Sequence, residues 1–171
     1  MRVITILVVL SFVIVSCKSA STQNEVSLGK RLYQNDSLSE AIESFSKAIM
    51  INDTCRDCYL YRGFCYKNLK KYDEALADFD KLVYLYPTSG LGYANKASIF
   101  YLRNQFYAAL ENYTAAYRLD SVDILLNPIC HMLFANGNRD SACHLYQQLS
   151  AKGDTTFNDS IKVYCNKRNY R

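Results

Sequence analysis

Proline and glycine are scarce in this chain of 171 residues, at two and six, and histidine is scarcer than its length would suggest, at two. So few turn formers argue against a β fold, with its many tight turns, and for helices joined by short connections. A catalytic Ser-His-Asp or Cys-His arrangement would have to use His131 or His144, and no Gly-rich phosphate-binding loop occurs, so nothing in the sequence supports an enzyme. There is no block of basic residues, which removes the usual reason to expect a nucleic-acid partner. Cofactors are likewise not implied.

What is present begins with an apolar run. Met1-Arg2 forms a short positive start, and Val3 to Val15 then carries no charge before Ser16-Cys17. The run falls short of the roughly 20 residues that a helix needs to cross a bilayer, so an export signal is expected in preference to a permanent span. The segment Ile14-Val15-Ser16-Cys17 resembles the lipobox of bacterial lipoproteins. That resemblance implies cleavage after residue 16, lipidation of Cys17 and a durable attachment to a membrane. Residues 17–24 are then expected to be a polar tether reaching no further than about 25 Å. By resemblance to Gram-negative lipoproteins, the expected location is the outer membrane, facing the periplasm. With Arg2 removed, 19 basic residues against 16 acidic ones leave a charge of +3. The remaining length suits one domain.

The strongest internal signal is a period of 34 residues. It relates Gly29, Gly63 and Ala97; Ala41, Ala75 and Ala109; Phe45, Phe79 and Tyr113; and Ala48, Leu82 and Ala116. The unit Tyr59-x2-Arg62-Gly63-x2-Tyr66, with Ala75-x3-Phe79 and Pro87, resembles the tetratricopeptide (TPR) repeat. Arg62 departs from it, standing where the family usually has Leu, and Lys96 is the polar equivalent one unit later. The resemblance implies an all-α fold of antiparallel helix hairpins stacked as a right-handed superhelix with a C-terminal capping helix. Units are expected at 25–53, 56–88 and 90–121, and a degenerate fourth at 122–153, where Ala142, Tyr146 and Leu149 echo the pattern at a spacing of 33. Pro128 allows either a short first helix beginning near Asn127 or a longer, kinked one. Residues 154–171 are expected to hold the capping helix, with Phe157, Ile161 and Tyr164 on one side, and a tail. Small residues on the first helices are expected to face the small residues of the second, Gly63 opposite Ala75, while the aromatics fill the space between hairpins.

Apart from Cys17, six cysteines remain in a compartment where thiols can oxidise. Cys58 and Cys65 lie too far apart along one helix to bond. The segment around Ala142-Cys143 and Ile161-x2-Tyr164-Cys165 looks like the end of some exported repeat proteins, which implies a Cys143–Cys165 disulfide. Cys55-x2-Cys58 has redox spacing but lacks the strand-helix-strand context of thioredoxin-like sites, so a structural disulfide or two reduced thiols is expected. Cys130-His131 and Cys143-His144 offer four zinc ligands, yet neighbours on a helix diverge by about 100°, so no metal site is expected.

In the TPR family the first helices line a groove for protein or peptide partners. The matching places in the first half of this chain are Val26, Lys30, Tyr33, Leu60, Phe64, Lys67 and Asn68. In the second half they are Ala94, Ser98, Tyr101 and Leu102. Apolar side chains there suit an extended or helical peptide, with Lys30 and Lys67 for acidic groups. Val26, Tyr61 and Leu91 hold places where the family's carboxylate clamp needs polar residues, so a receptor for chaperone tails is not expected. The expected function is a membrane-anchored scaffold binding a protein partner. The alternatives are an accessory lipoprotein without a fixed ligand, and a cysteine-based redox or zinc protein.

Overall fold

A computed structural model of the chain describes residues 19–121, 125–151, 161, 162 and 165. The expected signal segment, Cys17 and most of the expected capping helix, including Phe157 and Tyr164, lie outside the described residues. Among those described, every regular element is a helix, and none is long and apolar enough to cross a membrane. The helices are α1 (19–34), α2 (Leu38–Ile51), α3 (Arg56–Asn68), α4 (Tyr72–Leu85), α5 (Leu91–Leu102), α6 (Phe106–Asp120), α7 (Leu126–Ala135) and α8 (Arg139–Ala151). The chain divides into two compact units, Met1–Leu85 and Tyr86–Arg171.

In the first unit α1 pairs with α2, and α3 packs on both α2 and α4. Residues 19–24, expected in the tether, are instead the opening turns of α1. Thr22 is small enough to lie buried, and it extends the inward stripe of Val26, Gly29 and Tyr33 by a further turn. The polar neighbours around Thr22 mask that stripe in the sequence. Among the described residues, two buried clusters join α1, α2 and α3. Val26, Ala48 and Cys58 form one; Ala41, Phe45 and Cys65 form the other, with Leu32, Tyr33, Leu38, Ile42 and Tyr61 packed against it.

The nearest neighbours of the glycines of α1 and α3 are not the alanines expected from the sequence. A Cβ on Gly63 would sit 2.5 Å from Cε1 of Phe79, and one on Gly29 would sit 2.7 Å from Cε1 of Phe45. Each glycine therefore receives the aromatic ring one turn beyond the alanine. Phe45 serves the neighbouring hairpin as well, since its ring stacks on Tyr61 with centroids 5.8 Å apart.

The corners between paired helices repeat with the same period. Asp36, Lys70 and Asn104, each 34 residues from the next, are left-handed (φ 60°, 59° and 58°), and Gly137 closes the last corner at φ 80°. At the first three, the amides of Ser37, Lys71 and Gln105 donate to the carbonyls of Leu32, Tyr66 and Phe100, five residues back. This is the Schellman closure of a helix end, which satisfies carbonyls the helix leaves open.

In the second unit α5 packs on α6, α6 on α7, and α7 on α8. Pro128 stands in the first turn of α7, so the short-helix alternative holds, and the amide that proline lacks is one the helix would leave unpaired anyway. The amide of Gly90, at the start of α5, donates to Asp120 Oδ1 at the end of α6 over 2.9 Å. Any side chain on Gly90 would strike the Ala116 carbonyl. A buried cluster of Cys130, Ala142, Cys143, Ile161 and Cys165, with Leu126, Leu133, Phe134, Leu145 and Tyr146 around it, closes the unit.

Candidate functional site

Within the first unit, α1 and α3 bring together most of the groove residues expected there. Tyr33 meets Tyr61 edge-on, with centroids 5.8 Å apart, and Tyr61 meets Phe64 edge-on at 5.9 Å. Phe64 in turn contacts the Phe79 ring at 6.1 Å, so the half-buried surface rings rest directly on the core. Edge-to-face contacts of this kind fix ring orientation. Two lysines border this aromatic surface. Lys67 Nζ stands 5.1 Å from the centroid of the Phe64 ring, and Lys30 Nζ stands 4.8 Å from that of Tyr61. Leu60 is half-buried on α3, and Asn68 is exposed at its end.

Two expected members behave differently. Val26 is core, packed with Ala48 and Cys58, because its position on α1 turns it toward α3. Lys30 is held by Asp57, with Nζ donating to Oδ2 over 2.6 Å, so its charge is already matched. Lys67 differs from it: burial lowers its pKa, which marks an ammonium with part of its hydration removed. Tyr61 and Asp57 belong to this surface too, although the repeat pattern does not announce them. In the sequence Tyr61 is recognisable only as an obstacle to a carboxylate clamp, and nothing there singles out Asp57.

In the second unit, Ala94 and Ser98 are half-buried on α5, and the Ser98 hydroxyl donates to the Asn95 carbonyl over 2.7 Å. Tyr101 and Leu102 are exposed at the end of the helix. Beside Tyr101 lies a cavity of about 210 Å³ walled by Tyr113, Asn127, Pro128, His131 and Met132. Burial lowers the pKa of His131, so its ring is neutral there near pH 7. From sequence His131 stands out only as a metal or catalytic candidate; its presence beside Tyr101 depends on the packing of α6 on α7.

The cysteines divide into three kinds. Cys143 and Cys165 are disulfide-bonded, with Cα atoms 5.2 Å apart, and so join α8 to the helical residue 165. Cys55 and Cys58 form a second disulfide at the start of α3. Cys65 and Cys130 are buried thiols, pushed by burial up to about 11. Cys130 Sγ donates to the Ala142 carbonyl over 3.2 Å, and exposed His144 lies within 3.1 Å of Gln148 Nε2, so the four residues with zinc-ligand chemistry point to different surroundings.

Residues 57–89 match the family described as tetratricopeptide repeat. Among solved structures, the chain is similar to MamA from Desulfovibrio magneticus RS-1, with a TM-score of 0.68 and 15% identity over 76% of this chain and 74% of that one. It is also similar to the first TPR of Spaghetti (RPAP3) bound to the HSP90 peptide SRMEEVD, at a TM-score of 0.65 and 18% identity, covering 70% of this chain and 95% of that one. The fold is that of a TPR solenoid. Curated relatives include the Hsp70-Hsp90 organizing protein of Triticum aestivum, 29% identical over 54% of this chain and 16% of its own length. The Bos taurus protein SGT1 homolog is 30% identical over 61% of this chain and 33% of its length. The chain thus spans between about a sixth and a third of the length of these relatives.

Proposed function

We propose that this chain is a lipid-anchored TPR scaffold of the bacterial envelope, attached through Cys17 and binding a protein or peptide partner over the α1–α3 surface. The observation that carries the reading is the ring set Tyr33, Tyr61 and Phe64, fixed edge-to-face and seated on the core, with Lys67 beside it. Rigid aromatic side chains bind at a low cost in conformational freedom, and a partly dehydrated ammonium next to them favours a partner carrying a carboxylate near an apolar side chain. The TPR fold, and the HSP90 peptide bound by the similar Spaghetti (RPAP3) repeat domain, support the same reading. A terminal-carboxylate clamp is not proposed, since Val26 is buried and Tyr61 is committed to its neighbouring rings. The lipobox resemblance supports the anchor, and the resemblance to Gram-negative lipoproteins supports the outer membrane facing the periplasm.

Photo-crosslinking in intact cells tests the surface. A crosslinker placed at Phe64 should give a discrete adduct that Lys67→Glu abolishes, whereas one at the exposed Tyr107 on α6 should not. Identical adducts from both positions, or none from Phe64, would leave the accessory role without a fixed ligand as the better account. For the anchor, Cys17→Ser should move the protein from the membrane fraction to the soluble one.

A further inference from the structure

The Cys55–Cys58 disulfide is not used by the aromatic surface, and its two residues differ in exposure although Cys55 packs at the edge of the cluster that holds Cys58. Cys58 is fully buried in the cluster with Val26 and Ala48. Cys55 is half-buried and lines a cavity of about 480 Å³ together with Ser19, Thr22, Gln23, Asn52 and Arg56. Cys55 is also the N-cap of α3, where its Sγ accepts a hydrogen bond from the Cys58 amide over 3.3 Å. A sulfur at that position faces the positive end of the helix, an environment that favours a thiolate over a thiol. Stability is a weak reason for this bridge. It closes a separation of three residues, against 22 for Cys143–Cys165, and so short a loop restrains the unfolded chain least.

We propose that Cys55–Cys58 is a thiol–disulfide exchange site, reacting through Cys55 with a dithiol that enters the adjoining cavity. One thiolate of the dithiol attacks Cys55 Sγ. A mixed disulfide forms, the Cys55–Cys58 bond breaks, and its electron pair leaves on Cys58 Sγ, which takes up a proton. The second thiolate of the dithiol then attacks its own partner sulfur. That step closes the dithiol into a disulfide and releases the electron pair to Cys55 Sγ, leaving a thiolate to which the Cys58 amide donates a hydrogen bond. Two electrons and one proton pass from the dithiol to the cysteine pair, which is left as the Cys58 thiol and the Cys55 thiolate, and the dithiol's second proton goes to solvent. The strand-helix-strand context absent from the sequence is not required, because the α3 N-terminus and the cavity supply the stabilisation and the access.

The test uses the full chain and dithiothreitol. Acid quenching, alkylation and peptide mass spectrometry should show Cys55–Cys58 opening at least about tenfold faster than Cys143–Cys165. In Cys58→Ser, oxidised glutathione should form an adduct on Cys55; in Cys55→Ser, the buried Cys58 should form little. Equal opening rates for the two bridges in the unaltered protein, or adducts that favour Cys58, would overturn the proposal. The wild-type rate comparison stands even if a variant fails to fold.

Discussion

The guanidinium of Arg62 grips the carboxylate of Asp78 with two hydrogen bonds, Nε to Oδ2 over 3.0 Å and Nη2 to Oδ1 over 2.7 Å, while Nη1 donates to the Ser46 hydroxyl over 2.9 Å. Arg62 on α3 thereby ties α2 to α4. Side-chain exposure is 19% for Arg62 and 5% for Asp78, so both charges are largely out of water. Burial pushes the Asp78 carboxyl up, and the bonds from Arg62 hold it back. The departure from the family's Leu at position 62 is thus compensated by an acid 16 residues on.

Removing both partners should cost less than the two single losses added together. Asp78→Ala strands a buried guanidinium and is expected to lose about 3–5 kcal/mol. Arg62→Leu restores the family's residue but strands the acid. The double variant Arg62→Leu/Asp78→Ala should cost well under the sum of the two single changes, with a coupling of about 1–3 kcal/mol. Urea unfolding of the four proteins measures this, and additive effects would show that the pair is not coupled.

Gly63 provides a second test. Its missing Cβ is the space that Phe79 occupies, so Gly63→Ala must displace a fully buried ring. Helix propensity alone would make the change favourable by roughly 1 kcal/mol. Overpacking opposes it and should win, leaving a net loss of about 1–2 kcal/mol. Combining it with Phe79→Leu should recover part of the loss. A thermal melt that rises on Gly63→Ala alone would mean that the ring has other room.

Much of the fold is legible in spacing, because the 34-residue period records which side chains share a face, and Ala41, Phe45, Ala75, Phe79, Ala109 and Ala116 are all buried. Spacing does not record which residue on the facing helix is met. It pairs Gly63 with Ala75, whereas the nearest side chain in the fold is Phe79, one turn further along. The start of α1 is hidden because Thr22 is polar in composition but buried in place. At the candidate site, the resemblance to the repeat family marks Phe64 and Lys67 as groove residues. It does not show that Asp57 neutralises Lys30, a contact between residues 27 apart, or that Tyr61 joins the ring set.

The buried thiols predict a pH dependence. Cys65 and Cys130 stand near 11 in the folded chain against an ordinary 9.0, so folding favours their neutral forms. Their contribution to stability is intact below about pH 9 and is lost as pH rises toward 11, because the unfolded chain releases those protons first. Denaturation midpoints should fall across that window. Iodoacetamide at pH 8 should label neither thiol in the folded protein and both in denaturant, read by peptide mass spectrometry. Ready labelling of either at pH 8 without denaturant would contradict its burial.

The hairpin corners give the last prediction. Lys70 adopts a φ of 59° at the end of α3, where a side chain bearing a Cβ is strained by about 1–2 kcal/mol relative to glycine. Lysine cannot make the compensating local hydrogen bond that the short side chains of Asn and Asp can form, so it should gain more from replacement than Asp36 or Asn104 at the same repeat position. Lys70→Gly is expected to stabilise the protein by roughly 0.5–1 kcal/mol once the added freedom of the unfolded glycine is deducted. Asn104→Gly should be closer to neutral. Lys70→Val, β-branched and poorly suited to positive φ, should lose stability by about 1 kcal/mol or more. Thermal melts of the three variants would rank them in that order, and Lys70→Val melting with the unaltered protein would show that the corner is not held left-handed in solution.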